Sequence, residues 1–180
     1  MSPQSCATVA RVAPVTDIYA KLRTPQPTPE GELCSCSGTP PVKLMTMRQV
    51  AGFNPIHCLD CNLEVPPERL SLTADLAEEI ASWDWEHGAI ETLELASGEY
   101  EEWARLRLLD PASPTNAEGR QLAEKVSALR PCYFCFFQPQ SDEDWRPRLT
   151  CPVCNEPLDR YEKGIFAQLL CERDRLVLVG

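Results

Sequence analysis

The chain is 180 residues long, 43% apolar and 24% charged, and its formal net charge is −10. This length buries an ordinary core without needing cross-links to fold, and the composition is that of a globular chain. No apolar run reaches the ~18–20 residues of a membrane span, and a strongly acidic chain lacks the basic face that broad phosphate-backbone binding requires.

Residues 1–15 lack a basic start followed by an apolar stretch, so no secretory signal and a cytoplasmic location are expected. Val12 to Leu22 suits a strand or a helical turn. Prolines then crowd residues 24–31 and 38–41, and residues 1–41 read as a flexible Pro-rich segment. A mixed strand and helical region is expected over 42–130. It opens with Val42 to Met47, whose alternation of apolar and polar residues suits a strand, and turns at 52–55.

Thr73 can cap a helix whose inner face is Leu76, Ile80 and Trp83. The apolar pattern resumes at Ile90, Leu93 and Leu95 after a break expected at Gly88, and Ser97-Gly98 punctuates again. Tyr100, Trp103, Leu106 and Leu109 form another helical stripe. After the loop at 110–114, Thr115 to Glu118 has capping-box form and opens a helix with Leu122, Val126 and Leu129 inside, ended by Pro131. The last region, 131–180, is strand-like at Tyr133 to Phe137, Ile165 to Leu170 and Leu176 to Val179, with a C-P-x-C turn within Leu149 to Leu158.

Charge is uneven along this order. Between Glu64 and Glu118 lie 14 Asp and Glu against three Arg, a net of −11, so this segment carries the whole negative excess. Its carboxylates fall on outward helical faces, which predicts a solvated acidic surface or a contact with a basic protein. Trp83, Trp85, Phe134, Phe136 and Phe137 lack basic neighbours and read as core rather than as base-stacking groups.

Ten cysteines are many for a reducing compartment, and six form C-x-x-C pairs: Cys58/Cys61, Cys132/Cys135 and Cys151/Cys154. Two thiolates separated by two residues in a tight turn can face one ion, and two such turns complete a tetrahedron. Spacing allows two groupings. Cys132, Cys135, Cys151 and Cys154 can share one site. Alternatively Cys151 and Cys154 join Cys171 and Asp174 across the two final strands, leaving Cys58 and Cys61 to Cys132/Cys135 or to the tighter pair Cys34/Cys36. The second grouping is preferred, because strands flank Cys171. One or two structural Zn2+ ions follow, since four protein ligands leave no open position.

Other chemistries find less support. Cys151 to Cys154 has the form of a redox dithiol, but residues 155–158 break the helix that would lower its thiol pKa. His57 reads as a turn residue and not a ligand, and His87 as a cation at a helix end. Phosphate loops, nucleophile elbows and H-E-x-x-H motifs are absent, so no enzyme is expected.

The PIHCLDC run at 55–61, VPP at 65–67, DPASP at 110–114, EGR at 118–120, CPVC at 151–154 and GIF at 164–166 ahead of Cys171 resemble a bacterial zinc-ribbon-containing family. That family has no known function, and its suggested role is nucleic-acid binding. The resemblance covers residues 55–180 and implies a C-terminal zinc ribbon with Cys151, Cys154 and Cys171 as ligands. Asp174 stands where the family pattern has its last cysteine, and Asn62 and Asn155 replace the glycine that often follows a zinc knuckle.

The combined expectation is an α+β protein, with a helical acidic middle packed on short antiparallel strands and a zinc ribbon at its end. It would act as a zinc-stabilised protein-interaction module for a basic partner. A nucleic-acid-associated zinc ribbon, or an immunity-type protein neutralising a basic partner, are the alternatives.

Overall fold

The computed structural model describes residues 17–46, 53–139 and 145–179. Among these residues are three α-helices, α1 (Ala74–Ala96), α2 (Glu101–Leu109) and α3 (Pro114–Ser127); α1 and α3 pack on a six-stranded sheet, and α2 packs on α1. Its strands are β1 (Val42–Leu44), β2 (Ile56–Cys58), β3 (Cys132–Cys135), β4 (Asp159–Arg160), β5 (Gln168–Cys171) and β6 (Leu176–Val179), in the order β2-β1-β3-β6-β5-β4.

The sheet is mixed, which corrects the expectation of antiparallel strands alone. β1 runs parallel to β3 and β3 parallel to β6, while β1–β2, β4–β5 and β5–β6 are antiparallel. β2 returns the chain to the end of the sheet at which β3 begins, and the helical region between them carries it past β1. Val42, Lys43 and Leu44 of β1 are all fully buried, because both faces of the central sheet are covered. On the helical side lie Val42, Leu44, Cys132, Phe134, Leu176 and Leu178 with Ile80, Trp83, Leu122 and Val126. On the other, Tyr133, Leu170 and Val177 meet Leu59, Tyr161 and Cys135.

Thr73 caps α1 as its sequence predicts, its Oγ1 accepting from Leu76 N at 3.2 Å. The helix does not break at Gly88, which is buried inside it. An isolated glycine costs a helix only about 1 kcal/mol, and packing of the 23-residue helix outweighs that. His87 therefore lies within α1 and not at its end. It is buried, 3.2 Å from Thr46 Oγ1 and 3.4 Å from Glu91, with its ring 5.3 Å from Trp83.

Two apolar stripes face differently from expectation. In α2 the buried residues are Ala104 and Leu108, while Tyr100, Trp103 and Leu106 are exposed. Leu129 and Trp85 are exposed as well. The start of α3 also shifts: Ser113 is the N-cap and Pro114 the first helical residue, so Thr115 lies inside the helix. The buried Asn116 amide donates to the carbonyls of Leu108 and Asp110 at 2.9 and 2.8 Å, tying the end of α2 to α3. At Gly119 a Cβ would sit 2.7 Å from the Phe134 ring, so only glycine lets α3 approach β3 this closely.

Residues 17–41 carry little regular structure, but they are anchored. Leu22 is fully buried in the core, and Cys34 N donates to Glu64 O at 2.7 Å. The part of the expected Val12–Leu22 element before Asp17, together with Met47 and Gly52, lies outside the described residues. No described helix is long and apolar enough to cross a membrane.

Candidate metal centres

Two groups of four side chains gather among the described residues, and each can hold a metal ion. One is Cys34, Cys36, Cys58 and Cys61; the other is Cys151, Cys154, Cys171 and Asp174; within each, the ligand atoms lie within 4.8 Å of one another. Cys58 ends β2 and Cys171 ends β5, four strand intervals apart across the sheet, or roughly 19 Å. The two sites therefore cannot share an ion.

Each group is built on the same turn. In the first, Asn62 N donates back to Cys58 O at 2.9 Å and Cys58 N to Leu63 O at 2.9 Å. In the second, Asn155 N donates to Cys151 O at 3.0 Å and Cys151 N to Glu156 O at 2.8 Å. The residue after each pair takes the left-handed conformation, Asn62 at φ 61° and Asn155 at φ 62°. Asparagine tolerates that region better than other side-chain-bearing residues, so it serves where a glycine is often used. The Cys171–Asp174 turn between β5 and β6 ends the same way, with Arg175 at φ 48°.

The partner pairs differ. Cys34 and Cys36 lie in irregular chain, held by Arg69, whose Nη1 donates to Cys34 O at 2.5 Å and Nη2 to Cys36 O at 3.1 Å. The parallel bridge Leu33↔Glu64 brings this strip alongside the Cys58–Cys61 turn. In the second group, Cys154 and Cys171 sulfurs stand 3.7 Å apart. Asp174 Oδ2 accepts from the Cys151 thiol at 3.2 Å and the Cys171 thiol at 3.4 Å.

Burial pushes Cys58 and Cys151 up and Cys171 up to about 12. The hydrogen bond to Cys61, with burial, raises Cys36 to about 11. Cys34 moves the other way: burial raises it, but the Cys36 backbone N–H and the neighbouring thiols together bring it below the usual thiol value. Burial likewise pushes the Asp174 carboxyl up, yet thiol hydrogen bonds from Cys154, Cys151 and Cys171 together hold it below its ordinary range.

Of the candidate ligands read from the sequence, Cys58, Cys61, Cys151, Cys154, Cys171 and Asp174 fall in these groups, and Cys34 and Cys36 complete the first. Cys132 and Cys135 join neither. They occupy β3, where residues three apart point to opposite faces of the sheet. Cys132 accordingly lies in the helix-side core, and Cys135 packs against the cluster on the other side. A C-x-x-C pair chelates from a turn and not from a strand. The Cys135 thiol is pushed up by burial, against the opposing charge of Lys43, itself buried with Nζ 3.5 Å from Gln168 Oε1. His57 stays outside both groups: its ring nitrogens lie 3.1 Å from Asn62 O and 3.0 Å from Asn54 O, bracing the first turn.

Arg69 was not singled out in the sequence, and its only advance signal is being one of three cations in the acidic segment. No protein-family model, no curated protein and no solved structure matches this chain.

Proposed function

We propose that the chain is a zinc-stabilised protein-interaction module without a catalytic role, carrying two structural zinc ions and meeting a basic protein partner through its acidic helices. The observation that carries this reading is the pair of four-ligand clusters. Thiolate-rich sets of four suit zinc, and complete sets leave no position for substrate or activated water. The dimensions agree. Tetrahedral zinc with ~2.3 Å bonds to sulfur and ~2.0 Å to oxygen spaces its ligands about 3.8 Å apart for two sulfurs and about 3.5 Å for sulfur and oxygen. The spacings of 3.7, 3.4 and 3.2 Å in the second group lie close to these edges. With its knuckle and its β5–β6 turn, that group forms the zinc ribbon of this reading.

The partner's chemistry follows from charge. Glu99, Glu101 and Glu102 are exposed at the α1–α2 corner, beside the exposed Tyr100, Trp103 and Leu106. Apolar rings set among carboxylates favour a basic protein surface with apolar residues and repel nucleic-acid phosphates.

Affinity capture at low salt tests this. A basic protein should be recovered, released as salt screens the charges, and lost when Glu99, Glu101 and Glu102 are changed to Lys. Submicromolar, salt-sensitive binding to single- or double-stranded nucleic acid in a mobility-shift assay would contradict the reading.

A further inference from the structure

The two clusters differ in one ligand, and a cleft opens beside that ligand. Asp174 lines a cavity of about 660 Å³ between α3 and the β5–β6 turn, together with Arg120, Arg173 and Arg175 and the carboxylates of Glu124 and Glu172. Arg120 directs Nη2 to Pro111 O at 3.2 Å, while its Nε is buried and has no hydrogen-bond partner among the described residues. Arg175 bonds Glu172 at 3.1 Å and stands over the Tyr133 ring, 5.9 Å from its centre. Glu172 thus engages Arg175, and Arg120 and Arg173 are the remaining cationic groups beside the one oxygen ligand.

With three thiolates on the metal, a carboxylate is the hardest and most replaceable of the four donors, and an incoming thiolate matches the others better. We propose that the C-terminal site is exchangeable: a small thiol that also bears a carboxylate enters the cleft, replaces Asp174 Oδ2 on the metal and sets its carboxylate against the arginines. This rests on the reading of the clusters as metal sites. The metal–oxygen bond to Asp174 breaks and a metal–sulfur bond forms. The thiol's proton passes to solvent and Asp174 becomes a free carboxylate; nothing is oxidised or reduced. The first cluster offers no such exchange, since all four of its ligands are already thiolates.

The full chain loaded with Co2+ at both sites gives the test, with mercaptoacetate as the probe. Thiolate-to-cobalt absorption scales with the number of bound thiolates, seven in the two clusters before exchange. Titration should raise it, saturably, by about one seventh while cobalt stays bound. Asp174→Cys should start at the higher value and not respond. Arg173→Ala, or a thiol without a carboxylate such as mercaptoethanol, should need a several-fold higher concentration. An unchanged spectrum with cobalt retained, an equal rise in Asp174→Cys, equal responses to both thiols, or cobalt stripped by the probe would overturn the proposal. Failure to load two cobalt ions per chain would instead overturn the reading of the clusters as metal sites.

Discussion

The two cysteine clusters share one half and differ in the other. Cys58–Cys61 and Cys151–Cys154 are the same turn, closed by the same backbone hydrogen bonds and followed by a left-handed asparagine. Their partners have little in common: an irregular strip pinned by Arg69 in one case, and a hairpin turn ending in a carboxylate in the other. The knuckle half of such a site is thus a local property of four or five residues. The completing half is whatever tertiary packing brings within reach, and its ligand type and support can vary.

The strongest way to break this comparison is to remove one knuckle at a time. Cys58→Ser and Cys151→Ser should each cost the chain one zinc and leave the other bound, because the sites stand on separate parts of the sheet. Structural zinc contributes about 10 kcal/mol or more per site in small domains. Even half of that would lower the melting temperature by roughly 10 °C or more, read by calorimetry. Cys132→Ser should leave both ions in place. Its loss of either would return β3 to the list of ligand-bearing elements.

Acidity separates the sites next. Thiol ligands whose pKa values are raised keep their protons at neutral pH and must release them to bind metal, whereas Asp174, held low, releases none. The C-terminal site should therefore release fewer protons per zinc in the native chain than in Asp174→Cys, where a fourth thiol must ionise. Apparent affinity falls as pH falls, by about tenfold per pH unit for each proton released. Zinc titrations in buffers of different ionisation enthalpy measure this difference, and equal proton release by the two proteins would contradict the assignment of Asp174.

Smaller effects sharpen the account of what supports each half. Gly119→Ala should destabilise the fold by about 1–3 kcal/mol in chemical denaturation, since its Cβ would overlap the Phe134 ring. Arg69→Ala should cost about 1–2 kcal/mol by releasing two carbonyls, and should speed zinc loss from the first site only. Equal acceleration at both sites would show that Arg69 acts on the whole fold.

How much was legible follows the same division. The knuckles, the Thr73 cap and the Leu122/Val126 face could be read because each depends on neighbours in sequence. Asp174 was legible as a missing cysteine in a repeated spacing. Cys132/Cys135 misled because the spacing fits a turn while the surrounding Tyr133, Phe134 and Phe136 make it a strand, and strand geometry separates the thiols. Spacing leaves Cys34/Cys36 as one of two partners for Cys58/Cys61, because proline-rich chain gives no sign of the Leu33–Glu64 bridge or the Arg69 clamp that fix it. The parallel order β1-β3-β6 joins segments about ninety residues apart or more than forty, which no local pattern encodes. The apolar stripe of α2 faces mostly outward, because helical spacing gives a face but not the side on which the core lies.

The central claim is that this chain holds two metal ions in two independent sites. Native mass spectrometry of protein purified without added metal or chelator measures it directly. Two zinc ions per chain, falling to one in Cys58→Ser and to one in Cys151→Ser, is the predicted result. A chain that carries none, or a single ion lost in both variants, would contradict it.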